Sequence, residues 1–97
     1  MYTIEETETF SKWLAKLRDL KGRIAVARRV ERMREGHFGD AKALGAGVSE
    51  LKIDTGPGYR VYYTIRGNEI IILLIGGDKS TQQRDVEKAK NMAKEFQ

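Results

Sequence analysis

Residues 56–80 read GPGYRVYYTIRGNEIIILLIGGDKS, and this stretch decides the fold. The Gly56-Pro57-Gly58 turn leads into a strand over Tyr59 to Arg66, and Gly67-Asn68 then reverses the chain tightly into a second strand over Glu69 to Ile75. Upstream, Val48 to Asp54 alternates apolar and polar residues, with Leu51 and Ile53 expected in the core and Glu50, Lys52 and Asp54 outside it. The three strands make an antiparallel meander. Period-two geometry puts Arg60, Tyr62, Thr64 and Arg66 on one face of their strand, and Val61, Tyr63 and Ile65 on the other, core-like face.

Working outward, Tyr2 and Ile4 alternate as a short half-buried strand would. Phe10, Leu14, Leu17 and Leu20, with Trp13 beside them, form an apolar stripe at helical spacing, and this helix is expected to end at Gly22. Ile24, Ala27, Val30 and Met33 define a second helix closed by Gly36. Gly36 to Gly47 holds four glycines and reads as a connecting loop. After the meander, Ser80 with Gln83 has a capping-box pattern, and Val86, Ala89, Ala93 and Phe96 supply the stripe of a closing helix. The expected fold is α+β with element order βααβββα: an antiparallel sheet packed by an N-terminal helix hairpin and a C-terminal helix. No repeat or linker divides residues 1–97, so one domain is expected.

The chain has 97 residues, 40% of them hydrophobic, enough for one modest core. It has no cysteine, which excludes disulfides, thiolate nucleophiles and sulfur metal sites and suits a reducing cytoplasm. The start, MYTIEETETF, has no signal-peptide character. The apolar run Ile70 to Ile75 is far short of the roughly 20 residues of a spanning helix, so no membrane partner is expected.

The net charge of +4 is unevenly spread. Nine Lys or Arg residues (12, 16, 18, 21, 23, 28, 29, 32, 34) lie between Lys12 and Arg34, against Asp19 and Glu31 alone. Such a stretch suits a polyanion such as nucleic acid, and equally suits a solvated helical face. On the sheet, Lys52, Arg60 and Tyr62 share a surface. Lys79 joins them if the chain leaving the last strand curls over the same side, near the free N–H groups of the closing helix. Guanidinium and ammonium groups so gathered hold a phosphate and stabilise charge developing on it; the alternative is a solvent-facing charged sheet. His37 is the sole histidine, so paired-histidine chemistry and histidine metal clusters are out. Gly77-Asp78-Lys79-Ser80 departs from a phosphate-binding loop because Asp78 separates glycine from lysine. Trp13 on a leucine stripe belongs in the core, and Asp78 is a turn residue or a lysine partner.

GHFGDAKALGAGVSELKIDTGPGYRVYY (36–63) and IIILLIGGDKSTQQRDVEKAK (70–90) resemble the addiction-module killer proteins of the RelE/ParE superfamily, the HigB-like toxins of type II toxin-antitoxin systems. The most specific pieces are Phe38 to Asp40 (FGD), Gly47 to Ile53 (GVSELKI), GPGYRVY, and Gly76 to Asp85 (GGDKSTQQRD). The resemblance implies two helices against an antiparallel sheet, and metal-independent, cofactor-free cleavage of mRNA, commonly on the ribosome, by attack of a 2′-hydroxyl on its own 3′-phosphate. By position it implies catalytic roles for Arg60, Lys52 and Lys79, while the residues that depart from the family leave Glu50 as a candidate base, since an amine must first shed its proton, and Lys79 or the ribosome as acid. RelE has a lysine where Glu50 falls, and a tyrosine where this chain has Gln83, Arg84 or Asp85. Tyr62, Arg66, Gln83, Arg84, Arg28, Arg29 and Arg32 are the expected RNA contacts. The implied partners are mRNA, the ribosome and an antitoxin, helix-turn-helix and HigA-like. A ParE-like inhibitor of DNA gyrase acting by protein contact is the alternative, although it has no chemical reason to align Lys52, Arg60 and Lys79.

Overall fold

A computed structural model describes residues 1–96. Its elements run β1 (Thr3–Glu6), α1 (Glu8–Lys16), α2 (Leu20–Arg34), β2 (Ala41–Gly45), β3 (Val48–Ile53), β4 (Tyr59–Arg66), β5 (Ile70–Asp78), a short 3-10 turn (Lys79–Thr81) and α3 (Gln82–Ala93), with a final 3-10 turn (Lys94–Phe96). The class is α+β as expected, with one strand more than the expected order. The sheet order is β1-β5-β4-β3-β2; β1 joins β5 in parallel, and the other pairs are antiparallel.

The extra strand lies where glycines suggested a loop. Ala41 to Ala43 pair with Leu51 to Ser49, and the irregularity between Ala43 and Gly45 accommodates the tight return into β3. At the other hairpin, Gly67 and Asn68 both have left-handed backbone, with φ of 57° and 56°, the conformation a tight reversal demands.

Helix boundaries also differ. Asp19 accepts a hydrogen bond from the Gly22 N–H at 3.1 Å and so starts α2, placing Gly22 in its first turn rather than at the end of α1. Gly22 is needed there for space: a Cβ would lie 2.5 Å from the Tyr59 ring. The buried positions of α2 are Gly22, Val26 and Met33, with Val30 packed beside them; of the expected series, Val30 and Met33 face the core, and Ile24 and Ala27 do not. Steps of three residues slip by about 60° against the 3.6-residue turn, which rotates Ile24 (44% exposed) away from the sheet. Leu20, 64% exposed, lies outside the stripe of α1 because α1 ends at Lys16 and Leu20 opens α2.

Both faces of the sheet are covered, which explains why β5 is apolar without alternation. On one face Phe10, Val26, Met33, Leu51, Ile53, Tyr59, Val61, Tyr63, Ile71 and Leu73 form a core under α1 and α2, with Trp13 packed against it. On the other, Val48, Tyr62, Ile72, Leu74 and Ile75 pack with Ala89 and Ala93 of α3. A bulge lets β5 serve both: Tyr62 opposes Ile75 while Tyr63 opposes Leu73, and the carbonyl of the intervening Leu74 accepts the Thr7 hydroxyl at 2.6 Å. No described helix is long and apolar enough to cross a membrane.

Tyr59 ties β4 to α2 by donating to Asp19 Oδ2 at 2.7 Å. The bond, with the Gly22 N–H, lowers the Asp19 pKa, while burial and then Asp19 push the Tyr59 phenol up to about 12. The Asp19 contribution is therefore present above the ordinary carboxylate range and lost as pH falls. The Tyr59 contribution is complete below its unfolded value of about 10 and lost as pH rises towards the folded one. Tyr59→Phe is expected to be less stable than wild type near neutrality, with the difference shrinking as pH rises above 10; urea unfolding across that range, read as the gap between the two proteins, checks it.

Candidate functional site

The α3-side face of the sheet is polar at one end. Register sets Lys42 opposite Glu50 and Glu50 opposite Tyr62 in one row, and Lys52 opposite Arg60 and Arg60 opposite Gly77 in the next. Alternation points all of these side-chain positions to the same face. Where α3 begins, this face opens as a cavity of about 220 Å³ lined by Asp40, Lys42, Glu50, Lys52, Arg60 and Gln82.

Its floor is buried charge. Glu50 is 3% and Arg60 6% exposed; Arg60 Nε lies 3.9 Å from Glu50 Oε1, and Arg60 Nη1 donates to the Gly58 carbonyl at 2.8 Å. Gln82 Nε2 donates to Glu50 Oε2 at 3.0 Å, so α3 holds the carboxylate from above. Arg60 Nε and the Tyr62 hydroxyl are buried without a hydrogen-bond partner. Burial, and then the charges of Glu50 and Asp85, push the Tyr62 phenol well up, with Arg60 opposing. It therefore stays protonated, close to the Glu50 carboxylate. Orphaned buried donors are uncommon and mark places where a structure accepts a bond it does not itself supply. Among the described residues no three His, Cys, Asp or Glu side chains gather as a metal-binding group.

Of the residues expected from sequence, Glu50, Lys52 and Arg60 come together. Glu50 was expected outside the core, but α3 roofs it. Tyr62 shares the face of Arg60 and is completely buried beneath α3, so it offers no surface for stacking a base. Lys79 is exposed on the 3-10 turn and does not line the cavity. That turn is capped by Asp78, whose carboxylate accepts from the Ser80 N–H at 2.8 Å, and not by the Ser80–Gln83 pattern. Helix α3 consequently begins at Gln82, the side chain that faces the cavity, while Gln83 and Arg84 line a separate outer hollow with Ser80, Thr81 and Glu87. Arg66 lies six residues along β4 from Arg60, about 20 Å at strand rise.

The helix arginines divide. Arg28 and Arg32 are exposed and border a groove of about 320 Å³ with Ile53, Asp54 and Thr55 on the α2 side. The Arg29 guanidinium, expected to contact RNA, is instead spent on main-chain carbonyls, donating to Lys52 at 2.8 Å and Phe38 at 3.1 Å. Asp40, Lys42 and Gln82 are the lining residues that sequence reasoning missed. The FGD motif marked the region of the first two, but the glycine density around it concealed the strand.

The fold is that of a solved toxin: the E. coli toxin RelE, an arginine double mutant in the free state, superposes with a TM-score of 0.73 at 18% identity, covering 93% of this chain and 96% of that one. The chain belongs to the phage-derived Gp49-like family (DUF891), whose model matches residues 12–96. By family and fold the chain belongs with the RelE superfamily. A protein of Haemophilus influenzae described only as uncharacterized is 46% identical over 93 residues, 96% of this chain and 94% of that one.

Proposed function

We propose that this protein is the toxin of a toxin-antitoxin system, a metal-independent endoribonuclease that cuts translated mRNA on the ribosome in the cytoplasm, restrained by a helix-turn-helix, HigA-like antitoxin. The observation that carries the reading is the buried Arg60, with a donor left unpaired at the floor of a cavity walled by Lys42, Lys52 and Glu50. A phosphodiester seated there would meet the edge of the Arg60 guanidinium that lines the cavity and two ammonium groups. Glu50 accepts the proton of the 2′-hydroxyl as its oxygen forms the new bond to phosphorus. The bond from phosphorus to the 5′-oxygen breaks, and that oxygen takes a proton from Lys52, leaving a 2′,3′-cyclic phosphate and a 5′-hydroxyl. Arg60 stabilises the charge that accumulates on the phosphoryl oxygens between these events.

Glu50→Gln keeps the bond to Gln82 possible and removes the base, so cleavage by the folded variant is expected to fall by about 10²–10⁴-fold, with thermal unfolding measured beside it because Arg60 is left buried without its anion. Primer extension on total mRNA after brief induction of wild type and Glu50→Gln, with translation active or blocked, tests this. Cuts in coding regions that need both Glu50 and translation support the proposal. Cuts that persist during the block would remove the ribosome from it. Growth arrest with intact mRNA would overturn it in favour of a protein target such as gyrase.

A further inference from the structure

We infer that Arg29 is a positioning residue for the cavity: from α2, on the opposite side of the sheet, its guanidinium bridges the Phe38 and Lys52 carbonyls and so fixes the wall that carries Asp40, Lys42 and Lys52. Its catalytic consequence rests on the ribonuclease reading above; the clamp itself does not.

The ladder between β2 and β3 stops at Ala41 opposite Leu51, followed by one further bond from the Lys52 N–H to the Asp40 carbonyl at 2.9 Å. Past that point the two chains are joined by Arg29, with Nη1 on the Lys52 carbonyl and Nη2 on the Phe38 carbonyl. A planar fork with several donors can bridge two chains in this way, whereas a lysine offers one point charge on a flexible stem.

The FGD motif is built around this bridge. Phe38 is held by stacking on Tyr63, with centroids 5.8 Å apart and planes at 15°, and by an edge contact with Tyr2. Gly39 has φ +65°, and a Cβ on it would stand 3.0 Å from Arg29 Nη2, so the motif's glycine leaves the space in which the guanidinium lies. Asp40 then pairs with Lys52 and turns its side chain to the cavity. Anchor, space and wall occupy three consecutive residues. Arg28 and Arg32, a turn apart and exposed, have no such commitment and remain available for a polyanion.

Gly39→Ala displaces the fork without removing any charge, and Arg29→Lys keeps the charge without the fork. Both are expected to speed amide exchange at Lys52 and to lower the single-turnover cleavage rate of mRNA on programmed ribosomes by about tenfold or more, because small displacements of positioned groups are costly. Binding of a 2′-O-methyl RNA oligonucleotide should keep its salt dependence in both. Arg32→Ala should do the reverse, reducing the salt slope by about 0.7 for one lost phosphate contact and leaving Lys52 exchange unchanged. Unaltered Lys52 exchange in both Gly39→Ala and Arg29→Lys would overturn the clamp. Faster exchange with an unchanged cleavage rate would overturn its positioning role. Wild-type protein that cuts no RNA would sink the ribonuclease reading alone, since the exchange measurement decides the clamp without it.

Discussion

Arg60→Gln is expected to lower mRNA cleavage by about 10²–10³-fold, the size of effect seen when a preorganised donor to a developing anion is removed. Arg60 is 6% exposed and its guanidinium is oriented by the Gly58 carbonyl, where Gly58, with φ +81°, gives Nη1 room: a Cβ there would stand 3.3 Å away. Truncation to alanine would confound this test. Glu50 would be left buried without its cation, a change that costs about 3–5 kcal/mol when a buried pair is broken. Glutamine leaves an amide near the carboxylate, and Arg60→Gln combined with Glu50→Gln removes both charges together. Single-turnover cleavage and thermal unfolding of the single and double variants separate the two effects. Folded Arg60→Gln protein that cleaves at the wild-type rate would overturn the site.

How much of this site could be read from sequence depends on which periodicity each element obeys. The β4–β5 hairpin was legible because Gly67-Asn68 announces its turn and both strands carry aromatic and β-branched residues. Alternation correctly placed Arg60, Lys52 and Glu50 on one face. It was silent on whether a helix covers that face, and so Tyr62 looked like a surface aromatic when Ala89 and Ala93 in fact bring α3 close enough to bury it. Strand β2 was lost because an edge strand touching the core through Ala41 and Leu44 leaves little apolar pattern among four glycines. Around α3, the stripe of Val86, Ala89, Ala93 and Phe96 packs as expected, but the helix begins at Gln82 after a turn capped by Asp78, not at Ser80. One residue on a helix turns about 100°, enough to exchange Gln82, which touches Glu50, for Gln83 and Arg84, which face outward.

The same distinction between faces governs the adjacent glycines of β5, whose substitution is expected to crowd both faces of the sheet. Neither has a left-handed backbone, so conformation does not require glycine; space does. A Cβ on Gly76 would overlap the Trp13 indole on the α1 side. A Cβ on Gly77 would overlap the Asp85 carboxylate and stand 2.8 Å from the Thr81 hydroxyl on the α3 side, where Thr81 donates to Asp85 at 2.5 Å. Each alanine is an overpacking change expected to cost about 1–3 kcal/mol or more, since neither neighbour is the loose end of a flexible chain. Their functional consequences should differ. Gly76→Ala displaces α1, which contributes nothing to the cavity, so the protein that remains folded at low temperature should cleave normally. Gly77→Ala lifts the first turn of α3, and with it Gln82, from Glu50; cleavage should fall by about tenfold even where folding is complete. Unfolding curves for both variants, with cleavage measured well below their midpoints, decide the matter: equal loss of specific activity would mean that α3 does not set the position of Glu50.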